Sequence, residues 1–440
     1  MSDSDLSNIL RLAFRALLLV AGGASERDAI RQTLVSEPRL AGVRRQALGV
    51  VLATLREQDR LDWIIHEALP NEKFGTRALC ILRLVAYNAK LFVDRGHLRQ
   101  LERSIRNVAP VEYLTDIECL LGRIIPWNNR PLPSTLPDQE RIALETHHTA
   151  WWVEYCFRVF GRARAIALLS ARPRPRYIRV NNLKNRGRIT LPAIAKRLAS
   201  SLSQVPSMPG AFFLSGSPSA FSDFFSQGLF QMQDLASFLA VKAGNPEPGE
   251  EVLDLCAAPG GKTAALAQLM RNRGRIVSVD YSRPRMNAWK LEIKRLGVKI
   301  AEPIVEDVGS LGLQTKFDLV VIDPPCTGTG VFDRNPSMKW HLSPKSLARH
   351  GALQESLLES ASSRVADEGR ILYCTCSVTV EENEDLVRSF LKSHPEFETR
   401  PIPGDFGSPG LRGMLDCRRL YPDRDSTAGY FIAVMKRVRD

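Results

Sequence analysis

Short apolar runs alternate with amphipathic stretches from Gly249 to the end of the chain, and this alternation restricts the fold more than any other feature. Runs such as "EEVLDLC", "GRIVSVD", "FDLVVID" and "GRILYCTC" are rich in β-branched residues, and the segments between them have helical spacing. Strands that are apolar at nearly every position and separated by helices are typical of a parallel sheet covered on both faces. We therefore expect a doubly wound, Rossmann-like α/β domain at residues 246–440.

The rest of the chain has a different pattern. Apolar residues recur three and four positions apart from Leu6 to about Ile125, which predicts an all-helical domain at residues 1–130. The segment "RPLPSTLPDQE", residues 130–140, is too rich in proline to continue a helix and is interpreted as a linker. Helical stretches predicted at 149–171 and 190–200, together with the strand-like "RYIRVNNL", favour a small α+β module at residues 141–245.

The charge and cysteine content narrow the classes of partner and compartment. Sixty Lys and Arg residues against 48 Asp and Glu give a net charge of +12, which favours a polyanionic partner such as nucleic acid. Eight scattered cysteines without zinc spacing predict no metal site and a reduced, cytoplasmic compartment. Because Arg11 and Arg15 interrupt the first apolar segment, we expect neither a signal peptide nor a membrane span. The protein is separately expected to be a monomer.

The run "LDLCAAPGGKTAALAQLM" indicates a nucleotide pocket between a strand and a helix. A P-loop is disfavoured because Cys256 stands where its first glycine is needed, and a nicotinamide site because the turn has no G-x-G-x-x-G pattern. The third interpretation is an S-adenosylmethionine pocket. Asp280 would then accept hydrogen bonds from the ribose hydroxyls, and Asp307 would reach the adenine edge.

Asp323, Cys326 and Cys376 follow the fourth and fifth strands of the predicted sheet, whose ends converge on one crevice. Methylation of carbon 5 of a pyrimidine needs a thiolate that adds to carbon 6, an acid near N3 and help with release of the product. An exocyclic-amine methyltransferase would normally carry an aromatic residue at position 326. These residues alone do not say which thiol attacks, and Cys374 is a further candidate on the same strand face.

Four motifs carry a resemblance to a known family: "LDLCAAPGGKT", "DPPCTGTG", "NPSMKW" and "TCSVTVEEN". In order and spacing they resemble the motifs of the Sun/Fmu family of RNA cytosine-C5 methyltransferases, over residues 228–437. The stretch "LATLREQDRLDWII" resembles the NusB-like RNA-binding domain of the ribosomal RNA small subunit methyltransferase B branch of that family. The resemblance implies an enzyme that uses S-adenosylmethionine and acts on RNA, with ribosomal RNA as the expected substrate.

The same resemblance implies roles for individual residues. Cys376 would be the nucleophile and Cys326 would assist release of the product. Lys262 and Asp323 would hold the target cytosine, with Asp323 near N3. Asp333 and Ser337 depart from the residues usual in the family. The implied cofactor contacts are Cys256, Ala257, Ala258, Pro259, Gly260, Gly261, Lys262, Asp280, Asp307 and Asp323.

Basic residues provide two candidate RNA surfaces. Seven of them lie around Tyr177 between Arg172 and Arg188, where the ring could stack on a base. The second set lies in the N-terminal helices and comprises Arg44, Arg45, Arg56, Arg60, Arg99, Arg103 and Arg106. A target cytosine must leave its stack to reach two thiols, which implies base flipping. The alternatives are an RNA-binding ribosome assembly factor, an exocyclic-amine methyltransferase and, last, a P-loop NTPase.

Overall fold

The computed structural model describes residues 3–91, 95–108, 117–128, 130–184, 202–205, 210–214 and 222–438. The chain divides into two compact units, one formed by residues 1–170 and 332–342 and the other by residues 171–331 and 343–440. The three-domain division at residues 130, 141 and 245 stays a prediction. The helix predicted at residues 190–200 lies outside the described residues.

Among the described residues of the first unit, the regular secondary structure consists of helices joined by loops. Its first helix buries the side chains whose spacing predicted it: Leu6, Leu10 and Leu17 are all at most 3% exposed. Ser25 begins the second helix by accepting a hydrogen bond from the backbone N–H of Asp28. The helices are Asp3–Ala21, Glu26–Ser36, Arg44–Arg56, Gln58–Ala68, Thr76–Leu91, Arg95–Arg106, Ile117–Asn128, Asp138–Thr146, Ala150–Phe160, Arg162–Leu169 and Ser337–His341, with a 3₁₀ turn at Pro38–Val43.

The second unit contains two sheets. Its strands in the described residues are β1 Arg176–Val180, β2 Leu202–Gln204, β3 Ala211–Leu214, β4 Phe230–Met232, β5 Glu251–Leu255, β6 Arg275–Val279, β7 Ala301–Ile304, β8 Phe317–Ile322, β9 Val365–Thr375, β10 Phe397–Thr399, β11 Ser408–Pro409, β12 Arg418–Leu420 and β13 Tyr430–Arg437. The four-stranded sheet is antiparallel, with the order β2-β3-β1-β4. The nine-stranded sheet has the order β11-β12-β13-β9-β8-β5-β6-β7, and β10 pairs with β13.

The strands β7, β6, β5, β8 and β9 are parallel, and β13 adds antiparallel to β9. β5 and β8 are buried at nearly every position, as expected for strands covered on both faces. The prediction of a doubly wound sheet is thereby confirmed. The helices of this unit are Ser222–Ser226, Leu235–Ala243, Gly261–Leu269, Arg283–Leu296, Pro344–Ser362 and Glu384–Ser393, with a 3₁₀ turn at Val308–Ser310.

The topology fixes where a ligand can bind. The chain runs from β5 to β6 on one side, and later places β8 on the other side of β5. Ligands of open α/β sheets bind at such a switch point, outside the carboxyl ends of the strands. The segments that follow β5, β8 and β9 therefore meet at one edge of the sheet.

The segments around Gly330 pack closely. Its N–H donates to Cys376 O at 2.9 Å, its carbonyl accepts from Gly429 N at 2.9 Å, and a Cβ atom would lie 2.0 Å from Gly429 O. We expect Gly330→Ala to lower the free energy of unfolding by about 1–3 kcal/mol, because the backbone must shift. Chemical denaturation measures the loss. Gly312→Ala is the control, since no atom lies within 4 Å of its added methyl group; equal stability of the two variants would contradict the prediction.

Candidate functional site

A tight turn after β5 forms one wall of the site. Cys256 adopts a positive φ of 62° and Gly260 one of 104°, and the helix Gly261–Leu269 begins immediately afterwards. A side chain on Gly260 would come within 3.1 Å of the Trp289 ring, so the turn needs glycine both for conformation and for space. The turn can thus bring backbone close to a ligand at the start of a helix.

A cavity of about 480 Å³ lies beside this turn. Of the residues predicted to contact a cofactor, those lining it are Cys256, Ala257, Ala258, Pro259, Gly261, Lys262 and Asp323. The other lining residues are Gln231, Met232, Gln233, Ser237, Asp254, Ala288 and Glu292. The turn after β5 and the acid after β8 therefore face one space.

Asp280 and Asp307 do not line this cavity. The Asp280 carboxylate is buried at the end of β6, where it accepts from Ala258 N at 3.3 Å and pairs with Arg285 at 3.2 Å. It braces the turn from behind. Asp307 begins the exposed 3₁₀ turn by accepting from Gly309 N at 2.8 Å. Their contacts to ribose and adenine stay predictions.

Gln231, on β4, and Gln233, directly after β4, also line the cavity, and the sequence analysis did not predict them. The guanidinium of the buried Arg179 donates to Gln231 Oε1 and to Gln233 Oε1, both at 2.8 Å. Gln233 Nε2 in turn donates to Gly261 O at 3.3 Å, at the start of the helix Gly261–Leu269. Burial lowers the pKa of Arg179 to about 9. The available signal was the pair of glutamines two positions apart, one on β4 and one directly after it, since alternate residues of an extended segment lie on one face.

Lys262 and Asp323 form an ion pair across the cavity. The Lys262 side chain is 9% exposed and that of Asp323 is 34% exposed. Burial lowers the pKa of Lys262, but the charge and the hydrogen bond of Asp323, together with the nearby Cys374 and Asp254, raise it above the usual range. The ammonium also lies 5.6 Å from the centre of the Tyr430 ring. A fixed positive charge and a carboxylate are thus available to a polar ligand.

The two predicted thiols lie together at the neighbouring strand ends. The distance between Cys326 Sγ and Cys376 Sγ is 3.3 Å. The pKa of Cys326 is raised well above its ordinary value, first by the hydrogen bond with Cys376, then by burial and by the negative charges of Glu382 and Asp323. These surroundings favour the protonated form of Cys326.

Cys374, the third candidate thiol, has a different environment. Its side chain is 0% exposed, and the Tyr430 hydroxyl donates to its sulfur at 3.7 Å. Burial raises its pKa to about 12. A thiol of this kind is a poor nucleophile at neutral pH.

The predicted RNA surfaces are only partly available. The expectation that Tyr177 stacks on a base is wrong, because the ring is 3% exposed and its hydroxyl donates to Ser426 O at 2.9 Å. Arg174 and Arg179 are buried as well, while Arg172, Arg176 and Lys184 are exposed. Arg186 and Arg188 lie outside the described residues.

In the N-terminal helices, two of the seven arginines bind backbone carbonyls: Arg56 donates to Asp333 O at 2.9 Å and Arg60 to Arg130 O at 2.7 Å. The remaining five side chains are exposed: Arg44, Arg45, Arg99, Arg103 and Arg106. Within the described ranges, no helix is both long enough and apolar enough to cross a membrane.

Comparisons with known proteins agree with this geometry. The family model described as 16S rRNA methyltransferase RsmB/F matches residues 241–436. The probable ribosomal RNA small subunit methyltransferase B of Bacillus subtilis (strain 168) is 26% identical over 98% of this chain and 99% of its own length. A tRNA (cytosine(72)-C(5))-methyltransferase of Pyrococcus horikoshii is 34% identical over 49% of this chain and 54% of its own length. The solved structure of a methyltransferase homolog protein from Pyrococcus horikoshii is 32% identical, with a TM-score of 0.60, and the match covers 69% of this chain and all of that one.

The buried Asp254 should make stability depend on pH. Burial raises its pKa to about 7, although Thr263 donates a hydrogen bond to it at 2.5 Å. The protonated carboxyl therefore stabilises the fold fully below about pH 4, and this contribution is lost as the pH rises through about 7. Between pH 5 and pH 8 we expect wild type to lose on the order of 3 kcal/mol more than Asp254→Asn. Denaturant unfolding at both pH values measures the difference; equal losses would contradict the raised pKa.

Proposed function

The chain belongs to the RsmB/F family of 16S rRNA methyltransferases, and we propose that it methylates carbon 5 of a cytosine in ribosomal RNA through a covalent adduct with Cys376. It is an enzyme that uses S-adenosylmethionine. The B. subtilis relative is named for the small ribosomal subunit, and the name of the tRNA-modifying relative specifies carbon 5 of a cytosine. The observation that carries the covalent part of the proposal is the 3.3 Å separation of Cys326 and Cys376.

Two thiols in contact suit addition followed by elimination. Carbon 5 of cytosine becomes nucleophilic only when a thiolate adds to carbon 6, and the methylated base is released when the C5 proton is removed and the C6–S bond breaks. Cys376 is partly exposed and lies at the carboxyl end of β9, which favours it as the attacking group. The raised pKa of Cys326 favours its protonated form. As the C6–S bond breaks, its S–H can donate to the Cys376 sulfur, and the Cys326 sulfur in turn accepts the proton that leaves C5, so that both thiols are regenerated.

Asp323 and Lys262 would hold the base during these steps. Addition of a thiolate to carbon 6 places electron density on N3 and on the carbonyl oxygen of the ring, and a nearby acid or ammonium stabilises that density. Lys262 carries a positive charge on a largely buried side chain, where electrostatic stabilisation is stronger than in water. Asp323 orients that charge through their ion pair.

The residues around the cavity suit S-adenosylmethionine. The acids Asp254 and Asp323 line the cavity, and no phosphate cradle of the P-loop type follows β5. A zwitterionic nucleoside without phosphates fits such a site better than a nucleotide does. We propose that the turn from Cys256 to Lys262 holds it together with Asp323, with Asp280 and Asp307 at its ribose and adenine. When bound, S-adenosylmethionine supplies an electrophilic methyl group.

The net charge of +12 supports RNA as the substrate, since phosphate contacts dominate the affinity of nucleic-acid-binding proteins. Five arginines of the N-terminal helices have exposed side chains, and one of them, Arg106, also pairs with Glu102 at 2.8 Å. The NusB-like character of those helices, the monomeric state and the cytoplasmic location stay predictions.

The decisive experiment incubates the protein with labelled S-adenosylmethionine and unmodified ribosomal RNA, and maps 5-methylcytosine in the product. Transfer RNA is the parallel substrate, and labelling of transfer RNA alone would reassign the substrate class. Label on an exocyclic amine would exclude carbon methylation. RNA binding without any label would favour an assembly factor.

The two cysteines should fail in different ways. We expect Cys376→Ala to abolish methylation, because no thiolate can add to carbon 6. Cys326→Ala should still form the adduct but release it slowly, so that a protein–RNA complex survives denaturing gel electrophoresis. Cys374→Ala is the matched control and should retain turnover. Normal turnover by Cys376→Ala would remove it as the nucleophile.

A further inference from the structure

A buried carboxylate lies next to both thiols. Glu382 is 0% exposed and occurs six residues after Cys376, within the motif "TCSVTVEEN". Its carboxylate accepts from the backbone N–H of Thr327 at 2.8 Å and from the Ser377 hydroxyl at 2.6 Å. Thr327 directly follows Cys326, and Ser377 directly follows Cys376. One side chain thus binds the neighbour of each thiol.

The carboxylate of Glu382 is surrounded by further donors. Its two oxygens also accept from the Thr327 hydroxyl, from the Thr379 hydroxyl at 2.8 Å and from Gln354 Nε2 at 2.9 Å. An ionised carboxylate accepts hydrogen bonds without donating any, so each of these N–H and O–H donors has an acceptor. A neutral amide in the same place would turn one acceptor into a donor and face a polar hydrogen of its neighbours.

Hydroxyl groups extend this connection between the two loops. Ser377 Oγ lies 2.9 Å from Thr329 Oγ1, and Thr329 Oγ1 accepts from Val378 N at 2.8 Å. Together with the bond from Gly330 N to Cys376 O, these contacts join the loop after β8 to the loop after β9 at several points. Ser377 connects them to the Glu382 carboxylate, to which its hydroxyl donates.

Core packing does not account for a charge at this place. Replacing a buried charged group by apolar side chains of similar volume is often neutral or stabilising. A buried, fully satisfied polar network instead fixes one arrangement of the groups that it joins. The groups joined here are the two loops that carry the thiols.

We propose that Glu382 is the positioning residue of this site: it holds Cys326 and Cys376 in contact by binding the residue that follows each of them. The proposal deepens the proposed function and rests on it. Glu382 has no contact with the reacting atoms in this arrangement and acts through the two loops.

The charge of Glu382 has a second effect. The groups that face Cys326 are Cys376 at the end of β9, Asp323 on its own loop, Glu382 and the hydroxyl of Tyr373. Negative charge disfavours the thiolate, so Glu382 and Asp323 both raise the pKa of Cys326. Loss of the Glu382 charge should therefore lower that pKa.

The main test uses Glu382→Gln, which keeps the shape of the side chain and removes its charge. We expect kcat for methylation of ribosomal RNA to fall about 10²-fold with little change in KM for RNA, because a small misplacement of the reacting groups slows the chemical step more than it weakens binding. Glu250→Gln is the control, because Glu250 is a largely buried carboxylate of the same unit, paired with Arg370 at 2.8 Å and remote from the thiols. Its turnover should match wild type.

A second measurement needs neither RNA nor cofactor. Iodoacetamide alkylation of Cys326 and Cys376, followed by peptide mass spectrometry over a pH series that extends well above the ordinary pKa of a thiol, reports the ionisation of each thiol. In Glu382→Gln the alkylation midpoint of Cys326 should move to lower pH. Glu382→Asp keeps the charge but shortens the reach, so its Cys326 midpoint should stay near that of wild type while its turnover falls. If Glu382 had only a structural role, the Cys326 midpoint would not shift in Glu382→Gln while staying unchanged in Glu382→Asp.

The outcomes separate this proposal from the proposed function. Wild-type turnover and an unshifted Cys326 midpoint in Glu382→Gln would overturn the positioning role and leave cytosine methylation intact. Absence of 5-methylcytosine with wild type would overturn the proposed function, whereas the alkylation midpoints would still test the link from Glu382 to Cys326. Should Glu382→Gln fail to fold, Ser377→Ala removes one of the two bridging bonds and should lower turnover in the same direction; normal turnover by that variant would count against the proposal.

Discussion

The parallel pairing of β5, β8 and β9 is the constraint on which the site depends. In this register Asp254 of β5 lies opposite Val321 of β8, which lies opposite Leu372 of β9. The three strands therefore end at one edge of the sheet, and the cofactor turn, the acid and the thiols follow them there. Since these strands are buried on both faces, a slip in register would move apolar side chains out of position along the whole sheet. The hydrophobic core thus fixes the positions of groups that take no part in the core.

Charge buried at this edge is satisfied group by group. Lys262 is paired with Asp323, and Glu382 accepts from backbone, hydroxyl and amide donors. Beside them, Arg419 and Glu384 form an ion pair in which both side chains are at most 1% exposed. Arg419 also donates to Val378 O at 2.9 Å, directly after the Thr-Cys-Ser segment. A site built of such pairs is preorganised, because its dipoles do not have to reorient during the reaction.

Local patterns predicted much of this arrangement. The apolar runs gave the order of strands and helices, and the motifs brought Lys262, Asp323, Cys326 and Cys376 to one edge, because each motif follows a strand directly. Contacts between distant segments were not predictable in the same way. Gln231 and Gln233 reach the cavity from another sheet, and Tyr177 is buried although its surroundings in the sequence are basic.

Local sequence patterns were enough to predict a doubly wound sheet, a glycine-containing turn after β5, and two thiols and an acid at neighbouring strand ends. These features follow from the spacing of apolar residues and from the restricted conformations of glycine and proline, which act within a few residues. The contact between the two sulfur atoms, the burial of Cys374 and the hydrogen bonds from both thiol loops to Glu382 arise only in the folded chain. Those outcomes depend on burial and on hydrogen bonds between segments some fifty residues apart, such as Thr327 and Glu382, and they form only when the sheet has assembled.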